Sequence, residues 1–202
     1  MTITSDILSH HLCAFSNTPP GNIMKKLLAI LIVLSLVSTS TIAQTWQPDI
    51  NDKLELSVAQ AILKANEKDP SLTKWFETAY AYAVYPKVGK GGFVLGAAYG
   101  KGLVIYQDRT VGRTSLTQGT VGLQLGGQVY AQYIMFKDKT AFDHFSRGNF
   151  ELGAQVSAVA VTLGASADAS YDGGVAVFTL ADGGLMFEAS VGGQKFKYTP
   201  IK

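Results

Sequence analysis

From Asn51 to Lys68 the apolar positions Leu54, Val58, Ala61, Ile62 and Ala65 return at helical spacing, while Lys53, Gln60, Lys64, Glu67 and Lys68 fall elsewhere around the turn. The pattern predicts a helix capped by Asn51 and broken by Asp69-Pro70. Ser71 then caps a second predicted helix, with Leu72, Trp75, Phe76, Ala79, Tyr80 and Ala83 on one stripe. Pro86 drives the residue before it out of helical geometry, so this helix ends before Tyr85.

Beyond Pro86 the period changes from 3.6 to 2. Val121, Leu123, Leu125, Val129, Ala131, Tyr133 and Met135 share one parity. Gly122, Gln124, Gly126, Gln128 and Gln132 share the other. This predicts a long strand with one dry and one polar face, bent at Gly126-Gly127. A short helix follows Lys137-Asp138-Lys139, with Ala141, Phe142 and Phe145 inward. Strands resume near Phe150, where Leu152, Ala154, Val156, Ala158 and Ala160 alternate with Gly153, Gln155 and Ser157. Thr162 to Gly174 reads as loop. Val175 to Leu180 is apolar on both parities and is expected to be buried on both faces. Asp182-Gly183 is a hairpin signal leading to a strand from Leu185 to Val191. After Gly192-Gly193, a last strand from Gln194 to Thr199 sets Phe196 and Tyr198 against Lys195 and Lys197.

Glycine is threaded through the strand residues from Gly89 onward. The segment Lys87-Val88-Gly89-Lys90-Gly91-Gly92-Phe93-Val94-Leu95-Gly96 is too apolar for a linker. Strands that bend, bulge or pass close to other backbone explain it better. The expected fold class is α+β: a strongly bent, mainly antiparallel, glycine-rich sheet with two N-terminal helices and one inserted helix. Partial closure towards a barrel would fit the glycine density.

The resemblance to a known family sits in this glycine-rich block. A segment ending Ala-Tyr-Ala-Val-Tyr-Pro-Lys-Val, then Lys-Gly-Gly-Phe-Val-Leu-Gly and Tyr-Gly-Lys-Gly, resembles the SYLF lipid-binding domain. The match continues through Gly122-Leu123-Gln124-Leu125-Gly126-Gly127-Gln128, Gly183-Gly184-Leu185-Met186-Phe187-Glu188-Ala189 and Gly192-Gly193-Gln194-Lys195-Phe196. It covers the chain from about Leu54 to the end. Eukaryotic members carry a Trp-Ser pair where this chain has Arg113-Thr114-Ser115-Leu116, so the resemblance is to the bacterial branch. It implies binding to acidic lipids through basic residues and an amphipathic N-terminal segment, here Asn51 to Lys68. That segment mixes Lys with Glu on its polar face, which suits core packing better than membrane binding.

Met24-Lys25-Lys26, the apolar run Leu27 to Val37 and the small polar stretch Ser38 to Ala43 have the order of a secretory signal peptide. Thr41 and Ala43 place the cut before Gln44. Residues 1–23 read as a start-site extension and 44–202 as a single domain. Such a domain is expected to be exported, to the periplasm or the periphery of a membrane in a bacterial envelope. Cys13, the one cysteine, lies in the extension, so the exported part has no disulfide and no thiolate metal site. The chain's 17 Lys and Arg stand against 15 Asp and Glu. Removing Lys25, Lys26 and Asp6 leaves the exported part near neutral, which argues against a nucleic-acid partner.

Catalytic and cofactor signals are weak. Gly96 to Gly102 lacks the spacing of a phosphate loop and the hydroxyl after its lysine. His144 is the single histidine beyond the signal segment and reads as a surface or packing residue. Asp168, Asp172 and Asp182 match no calcium loop and read as turn residues. No catalytic residue, metal site or cofactor is expected, and the chain reads as a non-enzyme. The candidate lipid contacts are Lys87, Lys90 and Lys101 with Tyr85 and Phe93, lysines among amphipathic aromatics as in a headgroup zone. The expected partner is an anionic phospholipid or membrane surface. The alternative is an envelope interaction module that binds another protein through its sheet edges.

Overall fold

The computed structural model describes residues 46–148, 150–152 and 158–201. The start-site extension, Cys13, the signal segment and the Ala43/Gln44 junction lie outside the described residues, as do residues 153–157 of the strand expected after Phe150. The elements are α1 (Lys53–Lys68), α2 (Leu72–Thr78), β1 (Ala81–Gly92), β2 (Leu95–Tyr106), β3 (Arg109–Phe136), α3 (Lys139–Ser146), β4 (Phe150–Leu152), β5 (Ala158–Ala160) and β6 (Val175–Pro200). Among the described residues the strands form one sheet in the order β1-β2-β3-β6-β4, with β5 parallel to β6. β1 pairs with β2 along one edge and with the second half of β3 along the other, so the sheet curls into a half-closed barrel. The fold is α+β, as expected.

Helix α1 is capped one residue later than expected. Asp52 accepts from the backbone N–H of Leu54 at 2.8 Å and of Glu55 at 3.3 Å. Asn51 instead donates its backbone and side-chain N–H groups to Asp49. Helix α2 is shorter than its apolar stripe suggested. Ala79 is already extended, and Tyr80 N–H joins the sheet at Phe136 O, 2.9 Å away. Ala83 therefore lies in β1, where pairing on both sides outweighs the helical pattern. Ser71 makes no cap, because its hydroxyl is engaged with Asp69 and Ser166.

The expected hairpin at Asp182-Gly183 is absent. β6 runs unbroken and pairs antiparallel with β3 from Phe136↔Val175 to Gly112↔Pro200. Asp182 is the extra residue of a bulge, between Ala181↔Tyr130 and Gly183↔Val129. Gly192 and Gly193 pair with Thr120 and Gly119 within the same strand. A turn signal yields here because β3 offers a partner along almost the whole of β6. The bend expected at Gly126-Gly127 is present at Gly126, whose φ of 119° only glycine adopts without strain.

Two cores lie on the two sides of the sheet. The inner one, within the curl, gathers Ala83, Tyr85, Val88, Leu116, Ile134, Phe136 and Phe196, with Phe145 of α3. The outer one packs Val58, Ala61 and Ala65 of α1 and Leu72 of α2 on Val84, Leu103, Ile105, Tyr133 and Phe178. Val175 to Val177, Phe178 and Leu180 are buried on both faces, as expected. α3 turns Phe145 inward, with Ala141 and Phe142 packed beside it.

Candidate lipid-contacting face

Helices α1 and α2 cover only one end of the outer face. On β2 that face is formed by Leu95, Ala97, Tyr99, Lys101, Leu103 and Ile105. The last two are buried under the helices, and Leu95, Ala97, Tyr99 and Lys101 are exposed. On β3 the same parity is buried at Ala131, Tyr133 and Met135 and exposed at Val121, Leu125 and Val129. The dry face expected from Val121 to Met135 is thus dry only where the helices cover it. The polar parity is the interior one: Gln132 is fully buried, its Nε2 donating to Gln194 Oε1 at 2.8 Å, and Thr120 is buried. Alternation fixes which residues share a face and leaves open which face is covered.

The five residues singled out from the sequence separate. Lys87 and Lys101 are cross-strand partners and both are exposed on the outer face. Lys90 pairs with Ala98, a residue of the inner core, and so lies on the opposite face. Tyr85 is removed from the surface altogether. It is fully buried, and its hydroxyl lies 2.8 Å from Thr114 Oγ1. Burial pushes that hydroxyl's pKa far up despite the Thr114 hydrogen bond. The bulge at Tyr85/Val88 separates the inward Tyr85 from the outward Lys87. Phe93 stands exposed in the turn between β1 and β2.

The structure adds residues to Lys87 and Lys101. Ser115 is the partner of Lys101 on β3, and Lys197 is the partner of Ser115 on β6. Lys87, Lys101 and Lys197 therefore lie in one row across the outer face, Lys87 and Lys101 on neighbouring strands about 4.8 Å apart and Lys197 two strands from Lys101, across Ser115. Lys195 lies on the same face and pairs with Glu151 at 2.9 Å. At the border with α1, Lys64 forms an ion pair with Asp182. Lys64, by hydrogen bond and by charge, holds Asp182 below the usual carboxylate range against some desolvation, and Lys87 adds to that effect. Arg113 pairs with Asp52, the α1 cap.

Towards the β1–β2 turn the exposed outer face of β2 and β3 becomes apolar. Leu95 and Val121 are cross-strand partners, and Phe93 and Val94 form the turn beside them. The signal for this patch was present in the sequence as Phe93-Val94-Leu95, an apolar triplet where a hairpin turn calls for polar or glycine residues. His144 is exposed and meets Phe150 edge-on with ring centroids 5.3 Å apart. Among the described residues no three His, Cys, Asp or Glu converge as metal ligands.

The class defined here is a curled α+β sheet that carries a lysine row beside an apolar tip on one face. Residues 117–198 match the family described as Las17-binding protein actin regulator, Ysc84. Beta cell expansion factor A of Aeromonas veronii is 32% identical over 139 residues, 67% of this chain and 52% of that one. The chain thus spans about half the length of the curated relative it matches. It belongs to the Ysc84, or SYLF, family.

Proposed function

We propose that the domain binds anionic phospholipid surfaces through the outer face of its sheet, without enzymatic activity, and works in a bacterial envelope after export. The observation that carries this reading is the row Lys87, Lys101 and Lys197. Like charges directly opposite one another cost a sheet about 0.2–1 kcal/mol, so the Lys87/Lys101 pair opposes folding and is repaid when an anion lies over it. Each lysine at an anionic surface contributes about 1 kcal/mol. Export rests on the signal pattern of residues 24–43. Among the described residues no helix is long and apolar enough to cross a membrane.

Flotation with vesicles containing phosphatidylglycerol or phosphatidylcholine tests the reading. Lys87→Gln, Lys101→Gln and Lys197→Gln together should weaken binding to the anionic vesicles by roughly 100-fold at low salt. Salt should bring the wild type towards the variant. Lys90→Gln, on the other face, should change binding less. Equal flotation of the triple variant and the wild type would sink the proposal.

A further inference from the structure

We infer that the tip formed by the β1–β2 turn and the adjoining part of β3 is an insertion wedge that enters the acyl layer of the membrane; this rests on the lipid-surface reading above. Phe93 is 64% exposed, Val94 51%, Leu95 70%, Val121 65% and Leu125 61%. These are large apolar side chains in adjacent positions, and α1 and α2 end short of them. Scattered exposed apolar residues need no explanation, but a contiguous set at the projecting end of a sheet does.

The composition changes in order along the outer face. Leu95 and Val121 pair nearest the turn. Ala97 pairs with Gly119, then Tyr99 with Thr117, and then Lys101 with Ser115. An amphipathic ring thus separates the apolar end from the charged row, which is the order of a bilayer read outward from its hydrocarbon. Six residues of strand from Leu95 to Lys101 span roughly 20 Å. With the strands inclined at about 45°, as membrane strands commonly are, the tip would sit roughly 14 Å below the lysines. Half the hydrocarbon thickness is about 15 Å and the headgroup zone lies outside it, so the wedge enters the acyl layer of one leaflet without crossing it.

The backbone of β2 is prepared for this solvent. Near the tip β2 is paired on both sides, with β1 as far as Gly92↔Gly96 and with β3 as far as Leu95↔Val121. In the turn, Phe93 N–H donates to Leu95 O at 3.3 Å. Hydrocarbon tolerates strands only when such pairing is complete. On β3 beside Val121, Gln118 and Thr120 have the opposite parity and belong to the inner face. An acyl layer is the occupant that fits, because lysines border the patch and a lipid surface supplies phosphate beside hydrocarbon.

The test uses the full chain with Cys13→Ser and a single labelling site, Leu95→Cys, carrying an environment-sensitive fluorophore. A second sample carries the label at Arg147→Cys, on exposed surface after α3. Both are mixed with phosphatidylglycerol–phosphatidylcholine vesicles that hold spin labels on the acyl chains. The inference expects the label at position 95 to be quenched at least threefold more than the label at 147. The variant Phe93→Ser, Leu95→Ser, Val121→Ser, checked for unchanged circular dichroism, should lose penetration into compressed monolayers while still floating with anionic vesicles at low salt. Flotation without quenching at 95, or undiminished monolayer penetration by the serine variant, overturns the wedge and leaves the lipid-surface reading standing. Failure to float with any vesicle overturns both. A blue shift at 95 that depends on protein concentration and not on lipid assigns the patch to a second copy of the chain and overturns the wedge.

Discussion

Asp69 accepts the backbone N–H of Ser166 at 2.8 Å and so ties the joint between α1 and α2 to a loop nearly a hundred residues away. The same carboxylate accepts from Ser71 Oγ at 2.5 Å and from Gly164 N–H at 3.2 Å. Trp75 Nε1 completes the attachment by donating to Ser166 O at 2.9 Å. The loop also packs Tyr171 against Trp75, ring centroids 4.9 Å apart, but its backbone donors at Gly164 and Ser166 depend on this one fully buried carboxylate. Asp69→Ala would strand several donors in a closed site, and a loss of about 2–3 kcal/mol is expected. The melting temperature should fall by roughly 5–10 °C. Proteolysis at the exposed Leu163 should rise in parallel, and a variant as protease-resistant as the wild type would show that the loop is held otherwise.

Acid should act through the same residue. Burial pushes the Asp69 carboxyl up, but hydrogen bonds from Ser71 and Ser166 outweigh it and bring the pKa down from 3.8 to about 2. A carboxyl whose folded pKa is depressed contributes stability that is complete above its unfolded value and is lost as pH falls towards the folded one. The window is therefore pH 4 down to 2. The site lies just beneath the surface, so screening trims the contribution to about 1–2 kcal/mol. Thermal melts across this window should steepen for the wild type relative to Asp69→Asn, and parallel slopes for the two proteins would refute the assignment.

Lys101→Glu should move stability and binding in opposite directions. Opposite Lys87, a glutamate replaces repulsion by attraction and should stabilise the sheet by about 0.2–1 kcal/mol. On the proposed function, vesicle binding should fall by more than the loss of one charge, because a carboxylate now faces the headgroups. Melting and flotation of the same preparation measure both, and a variant that melts lower contradicts the geometry of the pair.

The glycines of the sheet should prove unequal. A Cβ on Gly102 would run into the Val84 carbonyl and the Tyr85 ring, most of it rigid backbone and core. A Cβ on Gly119 would meet nothing within 4 Å. Gly102→Ala should cost at least about 2 kcal/mol or prevent folding. Gly119→Ala should be neutral or stabilise by up to about 1 kcal/mol, since strand geometry suits alanine there. Urea denaturation of the two variants distinguishes close approach from mere abundance of glycine.

What was legible in the sequence follows from how local each signal is. Helix α1, the inserted α3 and the doubly buried Val175–Leu180 were readable because their patterns report burial directly. The Asp182 bulge was not, since a turn dipeptide cannot reveal that β3 will supply a partner beyond it. Lys90 was grouped with Lys87 and Lys101 by nearness in sequence, and the alternation of β1 sends it to the other face. Tyr85 carried an amphipathic ring into the candidate list, and the bulge beside it turned that ring inward. Lys197 joined the row only through register between strands far apart in the chain.

The end-to-end pairing of β3 with β6 also sets when the molecule can fold. Gly112 meets Pro200, so the first half of β3 finds this partner only after the second half of β6 has been made, nearly ninety residues later. Non-local pairing of this kind is slow, typically milliseconds to seconds, because loop closure comes before any contact repays it. A nascent chain lacking its last strand would expose the long edge of β3 and aggregate through it. Completion of the sheet is thereby tied to the making of β6, and until then β3 waits with one edge open.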